Sequence, residues 1–151
     1  MPQSTLSTLV YHSRASQLFT EIDLLYLLAA ARSRNQAEGL TGMLVYDDGH
    51  FFQWLEGPAL PLQRVWTAIR HDARHEAIEV IADSEIPLRL FRDWHMQFAH
   101  RGGKAAQNID GLILAPDDVV TALHQNPRRV PEILAEFSCL GAGPYARELG
   151  F

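Results

Sequence analysis

Phe51-Phe52-Gln53-Trp54-Leu55-Glu56-Gly57 is the stretch on which the reading of this chain turns. It alternates well enough to be a strand, and the alternation points the Gln53 amide toward an apolar interior. An amide facing a core costs free energy unless both its carbonyl and its NH2 find partners, so the protein or a bound polar ligand must supply them. A phenol is available in Tyr11, which ends the first predicted strand, Thr8-Leu9-Val10-Tyr11. Tyr, Gln and a planar heterocycle are the parts of a hydrogen-bond switch.

Working outward, Leu6 to Tyr11 reads as a strand. Thr20 to Asn35 reads as a helix, opened by a capping box of Thr20 with Asp23 and striped by Leu24, Leu27, Leu28 and Ala31. Gly39-Leu40-Thr41-Gly42 turns the chain into a strand at Met43 to Tyr46. Asp47-Asp48-Gly49-His50 is a hairpin turn into the strand from Phe51 to Glu56. Pro58 and Pro61 punctuate the entry to a second helix, where Leu62, Val65, Trp66 and Ile69 recur at helical spacing. Ala77 to Ala82 and Trp94 to Phe98 are further strands. The order β-α-β-β-α-β-β predicts an α+β, ferredoxin-like sheet with two helices on one face. This accounts for residues 1–100 as one domain. In 101–151, Arg101-Gly102-Gly103-Lys104 reads as a joint, and Asp117 to Gln125 and Pro131 to Phe137 read as short helices of an extension that packs on the free face of the sheet.

A chain of 151 residues, 47% apolar and 21% charged, has the size and mix of one globular domain. Thirteen Lys and Arg against 18 Asp and Glu give a net charge of -5 with no basic block, which argues against nucleic acid as a partner. The longest apolar run, Leu24 to Ala31, is far below the roughly 20 residues of a membrane helix, and Met1-Pro2-Gln3-Ser4-Thr5 does not open a signal peptide. A cytoplasmic, non-membrane protein is expected. Cys139 is the single cysteine and reads as a structural thiol, which excludes an intrachain disulfide.

Tyr11, Asn35, Gln53, Trp94 and Met96 carry a further signal when taken with the motifs around them. These are Thr41-Gly42-Met43-Leu44-Val45-Tyr46, Phe52-Gln53-Trp54-Leu55-Glu56-Gly57-Pro58, Asp72-Ala73-Arg74-His75 and Phe91-Arg92-Asp93-Trp94-His95-Met96. In this order and on these elements, they make the chain resemble the BLUF family of blue-light sensors that use flavin, from about Leu6 to Phe98. The resemblance implies an isoalloxazine ring held between the two helices of a ferredoxin-like sheet. It implies that Asn35 bonds the polar edge of the ring, that Arg34, Asp72, Arg74 and His75 lie near the ribityl chain or phosphate, and that Ser13 supports the phenol. The pattern departs at Arg34 and Ala31, where relatives often carry a second Asn or a His and a small hydroxyl.

The same resemblance implies a mechanism. Tyr11 gives an electron and a proton to the excited flavin and recovers them, and the Gln53 amide is left rotated or tautomerised. Trp94 and Met96, two apart on a strand, share a face and form the exit route to the C-terminal helices. The expected cofactor is FAD, with FMN or riboflavin as other forms. The expected partners are further copies of the chain and a separate effector protein, because the extension is too short for a cyclase, phosphodiesterase or DNA-binding output domain.

Rival readings are weaker on the residues themselves. His71 and His75 are four apart, with His95 and His100 elsewhere, but no thiol pair or carboxylate-histidine motif completes a zinc site. Cys139 with a remote His, or Glu56 with Asp72, lacks an activating motif, so no enzyme is expected. A flavin-free ferredoxin-like interaction module is the alternative. Trp54, Trp66, Tyr26, Tyr46 and Phe98 read as packing aromatics.

Overall fold

The structure, a computed structural model, describes residues 5–92, 95, 97–100, 112–114 and 117–137. Its elements are β1 (Leu6–Ala15), α1 (Glu21–Glu38), β2 (Thr41–Asp47), β3 (His50–Pro58), α2 (Ala59–Arg70) and β4 (His75–Glu85). After these come β5 (Gln97–His100), β6 (Leu112–Leu114), α3 (Asp117–Gln125) and α4 (Val130–Phe137). The strands form one sheet in the order β4-β1-β3-β2-β5-β6. In the first four each strand is antiparallel to its neighbours, and β5 and β6 join in parallel beside β2. This is the expected α+β, ferredoxin-like plan.

Several elements run beyond their expected limits, each for a local reason. β1 continues past Tyr11 to Ala15 because it is paired on both sides, Ser13 and Arg14 with Phe51 and His50 of β3 and Arg14 with Glu76 of β4. α1 begins as predicted, with the Thr20 side chain accepting from the Asp23 N–H and the Asp23 carboxylate accepting from the Thr20 N–H. It runs to Glu38 because Gly39 ends it in the left-handed region, with the Leu40 N–H returning to the Asn35 carbonyl at 2.8 Å. Asn35 is therefore one turn inside the helix and is not its cap. α2 starts at Ala59, with Pro61 in the first turn, where no intrahelical N–H is required. β6 has no counterpart in the sequence reading: three consecutive apolar residues carry no period, and a parallel edge pairing is set by tertiary structure. Trp94, Met96, Cys139 and the Arg101-to-Lys104 joint lie outside the described residues.

Strand alternation divides the sheet into two faces with separate cores. Leu9, Tyr11, Leu44, Phe51 and Leu55 meet Leu24, Leu28 and Ala31 of α1 and Leu62, Val65, Trp66 and Ile69 of α2. On the reverse face, Val10, Met43, Val45, Phe52 and Trp54 meet Val120 and Leu123 of α3 and Val130, Ile133, Leu134 and Phe137 of α4. Burying each such side chain stabilises the fold by about 1.5–3 kcal/mol before entropy is counted. Trp54, Trp66 and Tyr46 are buried as expected of packing aromatics. Tyr26 is not: it is 75% exposed, because the buried stripe of α1 runs through Leu24, Leu28, Ala31 and Asn35. The side chain of Phe98 is not among those described.

Candidate functional site

An open cleft lies between α1, α2 and the sheet, with about 70 Å3 of enclosed space and about 540 Å3 when the space open to solvent is included. Its walls are apolar: Leu27, Ala30 and Ala31 of α1, Ile69 of α2, Leu44 and Phe51 of the sheet, and Phe19 at the approach to α1. Tyr11 and Gln53 form its inner polar end, and Arg34, Asp72, Arg74 and His75 its polar rim. Register builds the inner end, because Tyr11 of β1 stands directly opposite Gln53 of β3. The Tyr11 hydroxyl donates to Gln53 Oε1, and both side chains are buried, at 4% exposure each. With its carbonyl engaged by the phenol, the amide directs NH2 elsewhere.

Burial is the main cause pushing the Tyr11 phenol well above its ordinary value, with Arg34 opposing and Asp72 adding. The phenol therefore keeps its proton and acts as a donor at any physiological pH. Its ring packs on Trp66 at 5.2 Å between centroids and edge-on against His75 at 5.9 Å. His75 Nε2 lies 2.7 Å from the Ile69 carbonyl, which only accepts, so Nε2 carries the proton and donates. In the neutral ring, Nδ1 then accepts from Ser13 Oγ at 2.7 Å. Ser13 thus orients the imidazole and reaches the phenol only through it.

The rim is cationic and anionic by turns. Arg74 Nη2 donates to Asp72 Oδ2 at 2.5 Å and its Nε lies 3.0 Å from both carboxylate oxygens, a forked pair that holds the Asp72 carboxyl below its usual value. Burial lowers the Arg34 guanidinium, and Arg34 donates from Nε and Nη2 to Asn35 Oδ1 at 3.3 Å each. Asn35 is fully buried and donates from Nδ2 to the His95 carbonyl at 2.6 Å. It sits one step behind the cleft wall, next to Arg34, and ties α1 to the segment that leads into β5. The seven residues Tyr11, Ser13, Arg34, Asn35, Gln53, Asp72, Arg74 are thus brought to one region together with His75, while Trp94 and Met96 lie outside the described residues.

Glu56 and Asp72 face opposite sides of the sheet: Asp72 rims the cleft, while the Glu56 carboxylate accepts from Thr41, Trp54 and the N–H groups of Leu90 and Phe91. They cannot act as a pair. His71 bonds to the Thr67 carbonyl and His75 to Ser13 and Ile69. Among the described residues, no three His, Cys, Asp or Glu side chains converge as metal ligands. Of the wall residues, Phe19 and Ala30 are not singled out in the sequence reading, and Leu44 and Phe51 enter it only as strand residues. The small pair Ala30-Ala31 amid leucines, on the same stripe as Leu27 and Arg34, was the available sign of room beside the helix.

The family profile described as BLUF, sensors of blue-light using FAD, matches residues 6–97. The chain belongs to the BLUF family. A photoactivated adenylate cyclase subunit beta from Euglena longa is 34% identical over 97 residues, covering 64% of this chain and 11% of that protein. The blue light- and temperature-regulated antirepressor BluF of Escherichia coli (strain K12) is 32% identical over 121 residues, covering 78% of this chain and 27% of that one. This chain thus spans only a small part of the length of these curated relatives. Among solved structures, the dark state of BlrB, a BLUF protein, superposes with a TM-score of 0.72 at 29% identity, covering 92% of this chain and 96% of BlrB. The BLUF region is a sensory module that binds flavin, rather than a catalytic one. The cleft fits such a group: apolar walls suit a fused ring, a buried amide and phenol suit its hydrogen-bonding edge, and guanidinium groups at the rim suit a phosphate. No helix among the described residues is long and apolar enough to cross a membrane.

Proposed function

We propose that Tyr11 and Gln53 are the switching pair of this blue-light sensor, with residues 1–100 as the flavin-binding domain and 101–151 as its output extension. The observation that carries this reading is the buried hydrogen bond from the Tyr11 hydroxyl to Gln53 Oε1 at the inner end of an apolar cleft. Bound flavin supplies absorption of blue light and an excited state oxidising enough to draw an electron from a neighbouring phenol. Tyr11 is protonated beforehand, so losing an electron makes its O–H strongly acidic, and the hydrogen bond to Gln53 Oε1 is the path along which that proton moves. Charge recombination returns electron and proton to Tyr11. The Gln53 amide is left turned or tautomerised, with donor and acceptor exchanged at fixed positions. Because it is buried and partnered in either arrangement, the new state persists and relaxes in the dark.

Arg34, Asp72, Arg74 and His75 hold the ribityl and phosphate end, Ser13 positions His75, and Asn35 carries the state of the ring edge to the His95 carbonyl. The cofactor is FAD, as the family description has it, although a Klebsiella pneumoniae relative, BlrP1, has been solved with FMN (31% identical, TM-score 0.58, covering 62% of this chain and 25% of that one). Trp94 and Met96 pass the change along the last strands to α3 and α4. The protein works as a cytoplasmic homo-oligomer that alters its grip on a separate effector protein. Support for that output is the second core, in which α3 and α4 pack directly on the reverse of the strands that carry Tyr11 and Gln53.

The test is the visible spectrum of the purified protein before and after blue light, repeated for Tyr11→Phe and Gln53→Leu. A flavin spectrum that shifts slightly red and recovers in darkness, and does not shift in either variant, is the expected result. Bound flavin with no shift in the wild type would remove the switch, and a colourless protein would leave the flavin-free interaction module.

A further inference from the structure

Residues 89–92 and His95 form the approach to β5, and two separate sets of bonds hold them. On the cleft side, Asn35 Nδ2 donates to the His95 carbonyl at 2.6 Å, and His95 Nδ1 lies 3.0 Å from the Leu40 carbonyl. On the reverse side, the holder is Glu56. Its carboxylate is fully buried, and four donors converge on it: the indole of Trp54 at 3.0 Å and the Leu90 N–H at 2.8 Å on Oε1, the Thr41 hydroxyl and the Phe91 N–H at 2.7 Å each on Oε2. Arg89 adds a second layer, donating to Thr41 Oγ1 at 3.0 Å and to the Gly39 carbonyl at 2.8 Å. Phe91, whose N–H is held, is itself buried in the reverse-face core with Leu123 and Leu134 and packs edge-on against Trp54 at 5.9 Å.

Hydrogen bonds therefore run from Arg34 in the cleft wall through Asn35 to the His95 carbonyl at one end of this approach. At its other end the Glu56 carboxylate holds Leu90 and Phe91, with Phe91 in the core beneath α3 and α4. We infer that Glu56 is a positioning residue for the light response, a clamp whose hydrogen bonds to Leu90 and Phe91 hold the approach to β5 in its dark register and pull it back after illumination. The inference rests on the photoreceptor reading above and assigns its restoring force. When the cleft-side bond changes, the segment moves against two charge-assisted hydrogen bonds at its other end, and that strain is released on recovery.

Glu56→Gln tests it at nearly constant shape. A carboxamide has one accepting oxygen, so its NH2 must face one of the two donor pairs, and a peptide N–H loses its partner. The dark spectrum should stay as in the wild type, because Glu56 lies on the far side of the sheet from the cleft. Amide exchange at Leu90 or Phe91 should quicken, and dark recovery should slow roughly fivefold, the rate equivalent of one net hydrogen bond. Arg89→Gln, which spares the carboxylate, should slow recovery by a smaller factor and decides the matter should Glu56→Gln not fold. A merely structural role would lower the melting temperature and leave recovery untouched. Faster amide exchange with an unchanged or quickened recovery overturns the clamp alone, whereas a wild-type protein that binds flavin and does not shift overturns the photoreceptor reading and the clamp with it.

Discussion

At the scale of single residues, chemistry and sterics leave little latitude. Tyr11 and Gln53 are two groups whose side-chain types announce a buried polar pair, and the alternation of β3 was enough to see that the amide points inward. That its partner is Tyr11 follows only from register, since 42 positions separate them. Gly42 is fixed by a different constraint. A β-carbon at this position would run into the Trp54 carbonyl oxygen and press on the Leu55 Cα, both backbone atoms that cannot yield without moving β3. Gly42→Ala should accordingly cost about 3 kcal/mol, at the upper end of overpacking effects, measurable by urea unfolding of the variant against the wild type. Because β3 carries Gln53, the same substitution should also weaken retention of flavin. Glu56 was legible as a polar residue in an apolar strand, but its four donors come from three places in the chain and could not be read from its neighbours.

At the scale of elements, local signals set where each piece starts and distant contacts set where it stops. The Thr20-Asp23 capping box forms as the residues imply. Thr20→Ala should lower stability by about 1 kcal/mol, or about 2–4 °C in melting temperature, without altering the cleft, since the cap is exposed and lies outside it. The sequence pattern ends α1 at Asn35, one turn early, whereas the left-handed Gly39 and the bond from Leu40 to Asn35 carry the helix to Glu38. That extra turn matters for the site: it keeps Arg34 and Asn35 in helical register with Leu27 and Ala31, so one face of α1 supplies both the wall of the cleft and the contact to His95. β4 shows the same division. Its register shifts twice against β1, and Ala77 sits at a φ of 53°, an irregularity that no alternation pattern in the sequence announces.

At the scale of the whole molecule, the sheet is covered on both faces, and a histidine cluster marks where the reverse-face helices meet it. His12 of β1 stacks on His50 of β3 at 5.3 Å, with Nε2 3.1 Å from His50 Nδ1. His124 of α3 packs edge-on against His50 at 5.0 Å while its Nε2 reaches Asp47 of β2 at 2.8 Å. Burial is the main cause lowering both His12 and His50. The neighbouring charges of His50 and His124 lower His12 further, those of His124 and Arg14 lower His50, and Glu79, Asp47 and Asp48 act in the opposite sense. The unfolded chain takes up these protons near pH 6.5 and the folded protein only below that. Stability is therefore full above about pH 7, falls as the pH drops through 6.5, and levels off once the folded groups are charged. The melting temperature should be lower at pH 5.5 than at pH 7.5, and the difference should shrink in His12→Asn and His50→Asn; an equal difference in both variants would place its origin elsewhere. None of this was visible in the sequence, where the three histidines are scattered. What the sequence determined by itself was the order of elements apart from β6, the two faces of β1, β2 and β3, the helix-opening cap and the residue types able to form a switch, because these depend on periods of two and on helical turns that neighbours in the chain enforce. The tertiary structure alone decided which phenol meets which amide, what the Glu56 carboxylate holds and which imidazoles share a seam, because strand register and the docking of helices on a sheet join positions far apart in the chain.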